Sequence, residues 1–153
     1  MSLGLHSETL IAGYEKDITI KDLYLRRSPV LAWSYDRENF CYQLKKVSSN
    51  RKTRQKMIKV TFEDNSYLIC SPNYPLVKKD LMITLAKESQ NTYIRGFEKS
   101  NLDYINHYPE GKKVINLEYQ KKTDECYELD GTTNCAIINS HSNQNTRGII
   151  LNI

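Results

Sequence analysis

The side chains best suited to chemistry in this sequence are its thiols and imidazoles. They are Cys41, Cys70, Cys126, Cys135, His6, His107 and His141. These residues form no C-x-x-C pair and no histidine spacing typical of a zinc site. The sequence therefore predicts no metal and no cofactor, and it favours inert, buried free thiols.

Familiar catalytic motifs do not occur in the chain. There is no G-x-S-x-G elbow, no glycine-rich phosphate loop and no cysteine–histidine pair at a recognised spacing. An ordinary hydrolase is therefore poorly supported.

The length of 153 residues is enough for one hydrophobic core. We expect a single, monomeric domain over residues 4–153, with residues 1–3 being upstream or vector-derived. No run of eighteen apolar residues occurs, and the start of the chain lacks the regions of a signal peptide. We therefore expect a cytoplasmic protein without a membrane partner.

The net charge of +4 is spread among many acids, and a denser basic stretch runs from Lys45 to Lys59. Such a stretch can bind nucleic acid through counterion release. A solvated hairpin loop accounts for it equally well, so nucleic acid is not predicted as a partner.

Short stretches rich in β-branched and aromatic residues recur along the chain between polar clusters, which is typical of a strand-rich fold. They include Thr9–Ile11, Ile18–Ile20, Val30–Tyr35, Phe40–Val47, Met57–Phe62, Tyr67–Cys70, Lys112–Tyr119, Glu125–Leu129, Cys135–Ile138 and Gly148–Leu151. The clearest hairpin turn is Glu63–Ser66, between two alternating runs.

Two segments interrupt this pattern. Leu81–Glu88 is compatible with one or two helical turns, and Lys99–Lys113 contains Pro109 and Gly111, which favour a long loop. The predicted class is all-β, with many short strands and at most one or two short helices.

Four separated segments carry a family resemblance. They are Gly4–Ile11, Ile58–Leu76, Cys126–Leu129 and Gly148–Asn152. In order and content they resemble the sequence blocks of the Hint superfamily, which comprises inteins, bacterial intein-like domains and Hedgehog autoprocessing domains. The resemblance implies a compact, horseshoe-like Hint fold without an endonuclease insertion.

The first segment resembles an intein opening of Cys-Leu, three variable residues and Thr-Leu-Ile, with Gly4 at the cysteine. In the second, Ser71 and Tyr74 stand where the family's Thr-Pro-x-His-Pro segment has threonine and histidine. Glu128 falls at the acid of the late Tyr-Asp-Leu motif. Leu151 and Asn152 fall at the terminal His-Asn pair.

The resemblance implies an autoprocessing domain that cleaves or splices its own flanking host segments, with ubiquitin-like units as one kind of host. In the family the first-residue thiol attacks the preceding carbonyl, the threonine and histidine activate that amide, and the final asparagine cyclises. By resemblance, Ser71 keeps the hydroxyl role and Asn152 is the residue that cyclises.

Three positions depart from the family pattern. Gly4 has no nucleophile, which indicates a domain inactivated at this position, either natively or by substitution. The phenol of Tyr74 is a poor proton shuttle at neutral pH, and Leu151 has no proton to donate.

Alternatives remain open at several of these positions. Tyr74 can simply pack against the hairpin, and Glu128 can be an outward-facing strand residue. His141 followed by Asn143 is a rival to Asn152 as the terminal pair. A non-catalytic β-domain of Hint shape, serving as a binding or structural module, is the main alternative function.

Overall fold

A computed structural model describes residues 3–98, 111–131, 134–138 and 147–152. In these residues the chain forms sixteen short strands, one α-helix and one single-turn 3-10 helix. The strands are β1 (Leu5–His6), β2 (Leu10–Ile11), β3 (Ile18–Thr19), β4 (Val30–Asp36), β5 (Cys41–Val47), β6 (Lys52–Gln55), β7 (Ile58–Phe62), β8 (Tyr67–Cys70), β9 (Pro75–Val77), β10 (Ile83–Leu85), β11 (Tyr93–Ile94), β12 (Gly96–Glu98), β13 (Lys112–Tyr119), β14 (Asp124–Tyr127), β15 (Asn134–Ile138) and β16 (Arg147–Asn152). The predicted all-β class is confirmed.

The described strands form two sheets. The first has the order β11-β13-β7-β8-β1-β14-β6. The second has the order β10-β9-β16-β15-β2-β3, with β12 on β16 and the β4–β5 hairpin on β15. The first strand of the chain, β1, therefore lies between two partners in one sheet, and the last strand, β16, lies between partners in the other.

The predicted hairpin between β7 and β8 is present. Its turn is closed by the Asn65 N–H donating to the Phe62 carbonyl, with Asn65 in the left-handed region at φ 68°. The inward residues of β7, Ile58, Val60 and Phe62, are buried at every second position, as the alternating sequence predicts. The main core is built from such positions in both sheets.

The α-helix, α1 (Ile20–Arg26), begins at the end of the stretch Ile18–Ile20, for which the sequence pattern predicts a strand. Thr19 caps it by accepting a hydrogen bond from the Asp22 N–H, and Ile20 and Leu23 are buried against the core. Leu81–Glu88, where helical turns were expected, contains β10 followed by the 3-10 helix Ala86–Glu88. Pairing of β10 with β9 outweighs the local helical tendency there.

The basic stretch Lys45 to Lys59 is not a single loop. It runs from the end of β5 in the second sheet through β6 into β7 in the first sheet. Arg51 and Lys52 lie 4.0 and 3.7 Å from the carboxylates of Glu128 and Glu125. Its charges are thus spread over strands and partly matched by acids.

Several sequence-based expectations fall outside the described residues. They are most of the predicted central loop, 99–110, and the rival terminal pair of His141 and Asn143. Within the described part of the chain, no helix is long and apolar enough to cross a membrane.

An ion pair between a buried lysine and a partly exposed carboxylate ties the β7–β8 turn to β13. The Lys112 ammonium, with its side chain 6% exposed, lies 2.9 Å from Asp64 and donates to the Ser66 hydroxyl at 3.1 Å. Burial alone raises the pKa of Asp64, but hydrogen bonds from Ser66 and Lys112 and the Lys112 charge outweigh burial and lower it. Since the folded pKa is lowered, this stabilisation is present above the unfolded value of ~3.9 and is lost as the pH falls below it.

Lys112→Met is therefore expected to lower the free energy of unfolding by about 1–2 kcal/mol at pH 7, because Asp64 loses its cation. The difference from the parent chain should shrink between pH 7 and pH 2, as Asp64 is protonated through its lowered pKa. Urea unfolding at both pH values measures this, with Lys113→Met, on the opposite face of β13, as the control. An equal loss at both pH values would show that packing, not charge, is what Lys112 contributes.

Candidate functional site

Gly4 and Ser71 are in direct contact. The Gly4 N–H donates to the Ser71 hydroxyl at 2.7 Å, and this hydroxyl in turn donates to the Gly4 carbonyl at 3.2 Å. The Ser71 N–H donates to the same carbonyl at 2.9 Å, and both residues are buried. Because the Gly4 nitrogen belongs to the peptide bond after Leu3, Ser71 touches the bond that the sequence singles out for cleavage.

The space beside the Gly4 α-carbon is already filled. A β-carbon added there would lie 2.5 Å from the Cys126 sulfur and 2.7 Å from the Cys126 β-carbon. Such distances are far below van der Waals contact, and the Cys126 β-carbon can move only with its backbone. Glycine is therefore the residue that fits position 4 in this packing.

Cys126 is fully buried on β14, beside the amino-terminal strand. Its sulfur lies 3.1 Å from both the Thr53 hydroxyl and the Gln55 side-chain nitrogen, which are carried by β6. Directly opposite Cys126 in the β1–β14 register is His6, whose side chain shares its face of the sheet. The Cys126 thiol thus has polar neighbours, in contrast to Cys70, which lies in the main hydrophobic cluster.

His6 is paired with a carboxylate on the same face. Its Nε2 lies 3.2 Å from the Asp124 carboxylate, and its Nδ1 accepts a hydrogen bond from the Glu8 N–H at 3.3 Å. Among the described residues, no group of three His, Cys, Asp or Glu side chains could hold a metal ion.

Tyr74 lies close to Ser71 in the backbone but belongs to the core. Its N–H donates to the Ser71 carbonyl at 2.9 Å, closing the turn Ser71–Tyr74. The side chain is 1% exposed and packs in the main hydrophobic cluster. This matches the alternative in which Tyr74 packs structurally.

Glu128 points toward the surface. Its carboxylate lies 4.0 Å from the Arg51 guanidinium, and its side chain is 25% exposed. The position therefore fits the alternative of an outward-facing residue just after β14.

Leu151 and Asn152 end the last strand of the second sheet. Leu151 pairs with Cys135 on one side and with Leu76 on the other, and Asn152 pairs with Asn134. Leu76 lies on β9, which starts directly after the Ser71–Tyr74 turn. The carboxyl-terminal strand therefore runs beside the segment that begins at Ser71.

Two residues of this region were not among the predicted site residues. Cys126 was expected to be inert packing, and His6 carried no predicted role. The alternating spacing of Gly4 with His6, and of Asp124 with Cys126, places each pair on one face of a strand. Only the pairing of β1 with β14, from opposite ends of the chain, brings the two faces together.

Comparison with solved structures shows a shared fold. A variant of the Ssp DnaB mini-intein superposes with a TM-score of 0.75 at 16% identity, covering 99% of this chain and 93% of that one. The TvoVMA intein superposes with a TM-score of 0.74 at 14% identity, covering 97% of this chain and 96% of that one. The bacterial intein-like domain from Clostridium thermocellum superposes with a TM-score of 0.70 at 12% identity, covering 100% of this chain and 99% of that one.

No protein-family model matches the chain, and no curated protein matches it in sequence. The structural likeness nevertheless extends over almost the whole chain. The chain has the Hint fold of inteins and intein-like domains, as the order of its sequence segments predicts.

The close packing of residues 4 and 126 can be tested by enlarging the side chain at one position and removing it at the other. Gly4→Ala is expected to lower the free energy of unfolding by about 1–3 kcal/mol, because its methyl group overlaps Cys126. Cys126→Gly removes the obstacle and leaves a cavity, also at a cost of about 1–3 kcal/mol.

In the double variant the methyl group introduced at position 4 has room where the cysteine side chain was. This variant should be more stable than the sum of the single losses predicts by about 1 kcal/mol or more, measured by urea unfolding in a double-mutant cycle. Strict additivity would contradict this packing.

Proposed function

We propose that this chain is an autoprocessing domain that cleaves or splices its own flanking polypeptide. Its two reactions are acyl transfer at the peptide bond before Gly4 and cyclisation of Asn152. Each is a single-turnover reaction in cis, so no separate substrate is consumed.

The main support is that the segment from Ser71 to Leu76 contacts both Gly4, just before β1, and the last strand, β16. Ser71 holds the backbone of Gly4 through three hydrogen bonds. Five residues later, Leu76 pairs with Leu151, the neighbour of Asn152. A domain that processes both flanks needs its two junctions near shared groups, because the acyl group from one side is passed toward the other.

At the upstream junction, Ser71 supports the amide-activating role. Its hydroxyl accepts a hydrogen bond from the Gly4 N–H, whose nitrogen becomes the leaving amine, and by rotating it can give a proton to that nitrogen as the carbon–nitrogen bond breaks. Gly4 itself has no side chain to attack the carbonyl, so residue 4 is inactive as a nucleophile. Tyr74 is buried in the core and supplies no proton shuttle comparable to histidine.

At the downstream junction, the side-chain amide of Asn152 attacks its own carbonyl carbon and releases the segment that begins at Ile153. Leu151 offers no proton to that carbonyl, so this step is expected to be slow unless another group substitutes. Asn143 is the rival for this role.

The partners in this proposal are the flanking segments of a host protein, and the domain acts as a monomer in the cytoplasm. Ubiquitin-like flanking units are the finer version of the proposal. This finer version is supported by the composition of the chain, which is rich in Asn, Lys, Tyr and Ile and is therefore typical of an AT-rich genome.

The experiment is a precursor with one reporter protein before Met1 and another after Ile153, followed over time by intact mass. Upstream cleavage should slow by about 100-fold in Ser71→Ala, because the leaving amine loses its proton donor. Downstream cleavage should be abolished in Asn152→Ala. Ser28→Ala and Asn39→Ala, at exposed turn positions, are the matched controls.

The mass of the domain after downstream cleavage identifies the chemistry, since succinimide formation leaves the domain one water lighter than hydrolysis does. A precursor that stays intact at both junctions over days, with and without added thiol, would refute the proposal. It would then favour the non-catalytic β-domain, for which the buried Tyr74 and the side chain missing at Gly4 are the structural support.

A further inference from the structure

The place of the missing side chain at residue 4 is taken by a thiol from another strand. The Cys126 sulfur lies 2.5 Å from the point where a β-carbon on residue 4 would be. A cysteine at residue 4 would carry its own sulfur one bond away from that same point. The two sulfurs would therefore occupy nearly the same region beside the peptide bond between residues 3 and 4.

We propose that Cys126 is the catalytic nucleophile for this bond and accepts the acyl group of Leu3. The inference rests on the proposed autoprocessing function and supplies its missing attacking group. The position of the bond that it attacks is fixed by hydrogen bonds. The Gly4 N–H donates to the Ser71 hydroxyl at 2.7 Å, and this hydroxyl donates to the Gly4 carbonyl at 3.2 Å.

The surroundings of Cys126 suit a reacting thiol. The Gln55 amide donates to its sulfur at 3.1 Å, and a donor at that place stabilises negative charge as it develops. Thr53, at 3.1 Å, can accept a hydrogen bond from the thiol. The imidazole of His6, directly opposite in the register and paired with Asp124, lies on the same face of the sheet, with its Nδ1 accepting from the Glu8 N–H.

The reaction is an isomerisation that needs no added reagent. The Cys126 sulfur bonds to the Leu3 carbonyl carbon, and the bond from that carbon to the Gly4 nitrogen breaks. The proton given up by the thiol ends on the Gly4 nitrogen, whose N–H is already hydrogen-bonded to the Ser71 hydroxyl. The product is a thioester between residue 3 and Cys126, with Gly4 as a new amino terminus, and water or an external thiol then releases the acyl group.

Glycine at residue 4 follows from this arrangement. Any side chain there would displace the Cys126 sulfur from the bond it is to attack. Gly4 and Cys126 are therefore complementary, with the nucleophile carried by β14 and the room for it provided by the residue before β1.

The test uses the full chain with its own residues 1–3, incubated with 2-mercaptoethanesulfonate and analysed by intact mass. The expected products are the thioester adduct of Met1–Leu3 and a chain that begins at Gly4. Cys126→Ser keeps a hydroxyl for the hydrogen bonds to Thr53 and Gln55 but is a far weaker nucleophile. It should slow release by about 100-fold or more.

Two further variants guard against effects on folding. Cys126→Ala should behave like Cys126→Ser, with folding of each verified by circular dichroism. Cys41→Ser, at a partly exposed cysteine on β5, should release the tripeptide within about twofold of the parent rate.

The outcomes separate this inference from the proposed function. Release between residues 3 and 4 that persists in both Cys126 variants would overturn the role of Cys126 and leave autoprocessing intact. Cleavage after Asn152 without any thiol-dependent release of residues 1–3 would do the same. A chain inert at both junctions would overturn both proposals.

Discussion

The structure depends on the insertion of the first strand between two strands that come from distant parts of the chain. β1 pairs with β8 through Leu5 and Cys70, and with β14 through Leu5 and His6. The three hydrogen bonds between Gly4 and Ser71 extend the β1–β8 pairing by one residue. Because β1 is only two residues long, these bonds and the buried Leu5 side chain hold the amino-terminal segment in place.

The same segment of chain links the two sheets. β8 belongs to the first sheet and β9 to the second, and the turn Ser71–Tyr74 connects them. Tyr74 anchors this turn in the core, so Ser71 is held rigidly against Gly4 while Leu76 reaches β16. The space around residue 74 is filled by the tyrosine side chain, which is 1% exposed, at the position where the resemblance implies a histidine.

Close packing at residue 4 gives the site its character. Cys126 fills the space that other residues at position 4 would use, and its buried sulfur is satisfied by Thr53 and Gln55. The space beside the Gly4 α-carbon is therefore not empty. It is occupied by the thiol of Cys126 on β14.

The sequence by itself determined the all-β class, the β7–β8 hairpin and the order of the segments that resemble Hint blocks. These depend on residue types and on spacing along one strand or turn, which are local properties. It also identified Gly4 and Ser71 as partners by resemblance. It did not identify α1, which depends on the Thr19 cap and on burial of Ile20 and Leu23 against the core.

Only the tertiary structure decided what lies around Gly4. The neighbours of that residue, Ser71 and Cys126, come from β-strand pairings across most of the chain length, and no local pattern encodes such pairings. The orientation of Tyr74 into the core and of Glu128 toward Arg51 was likewise open in the sequence. For both side chains, tertiary packing decided between orientations that the residue types alone left open.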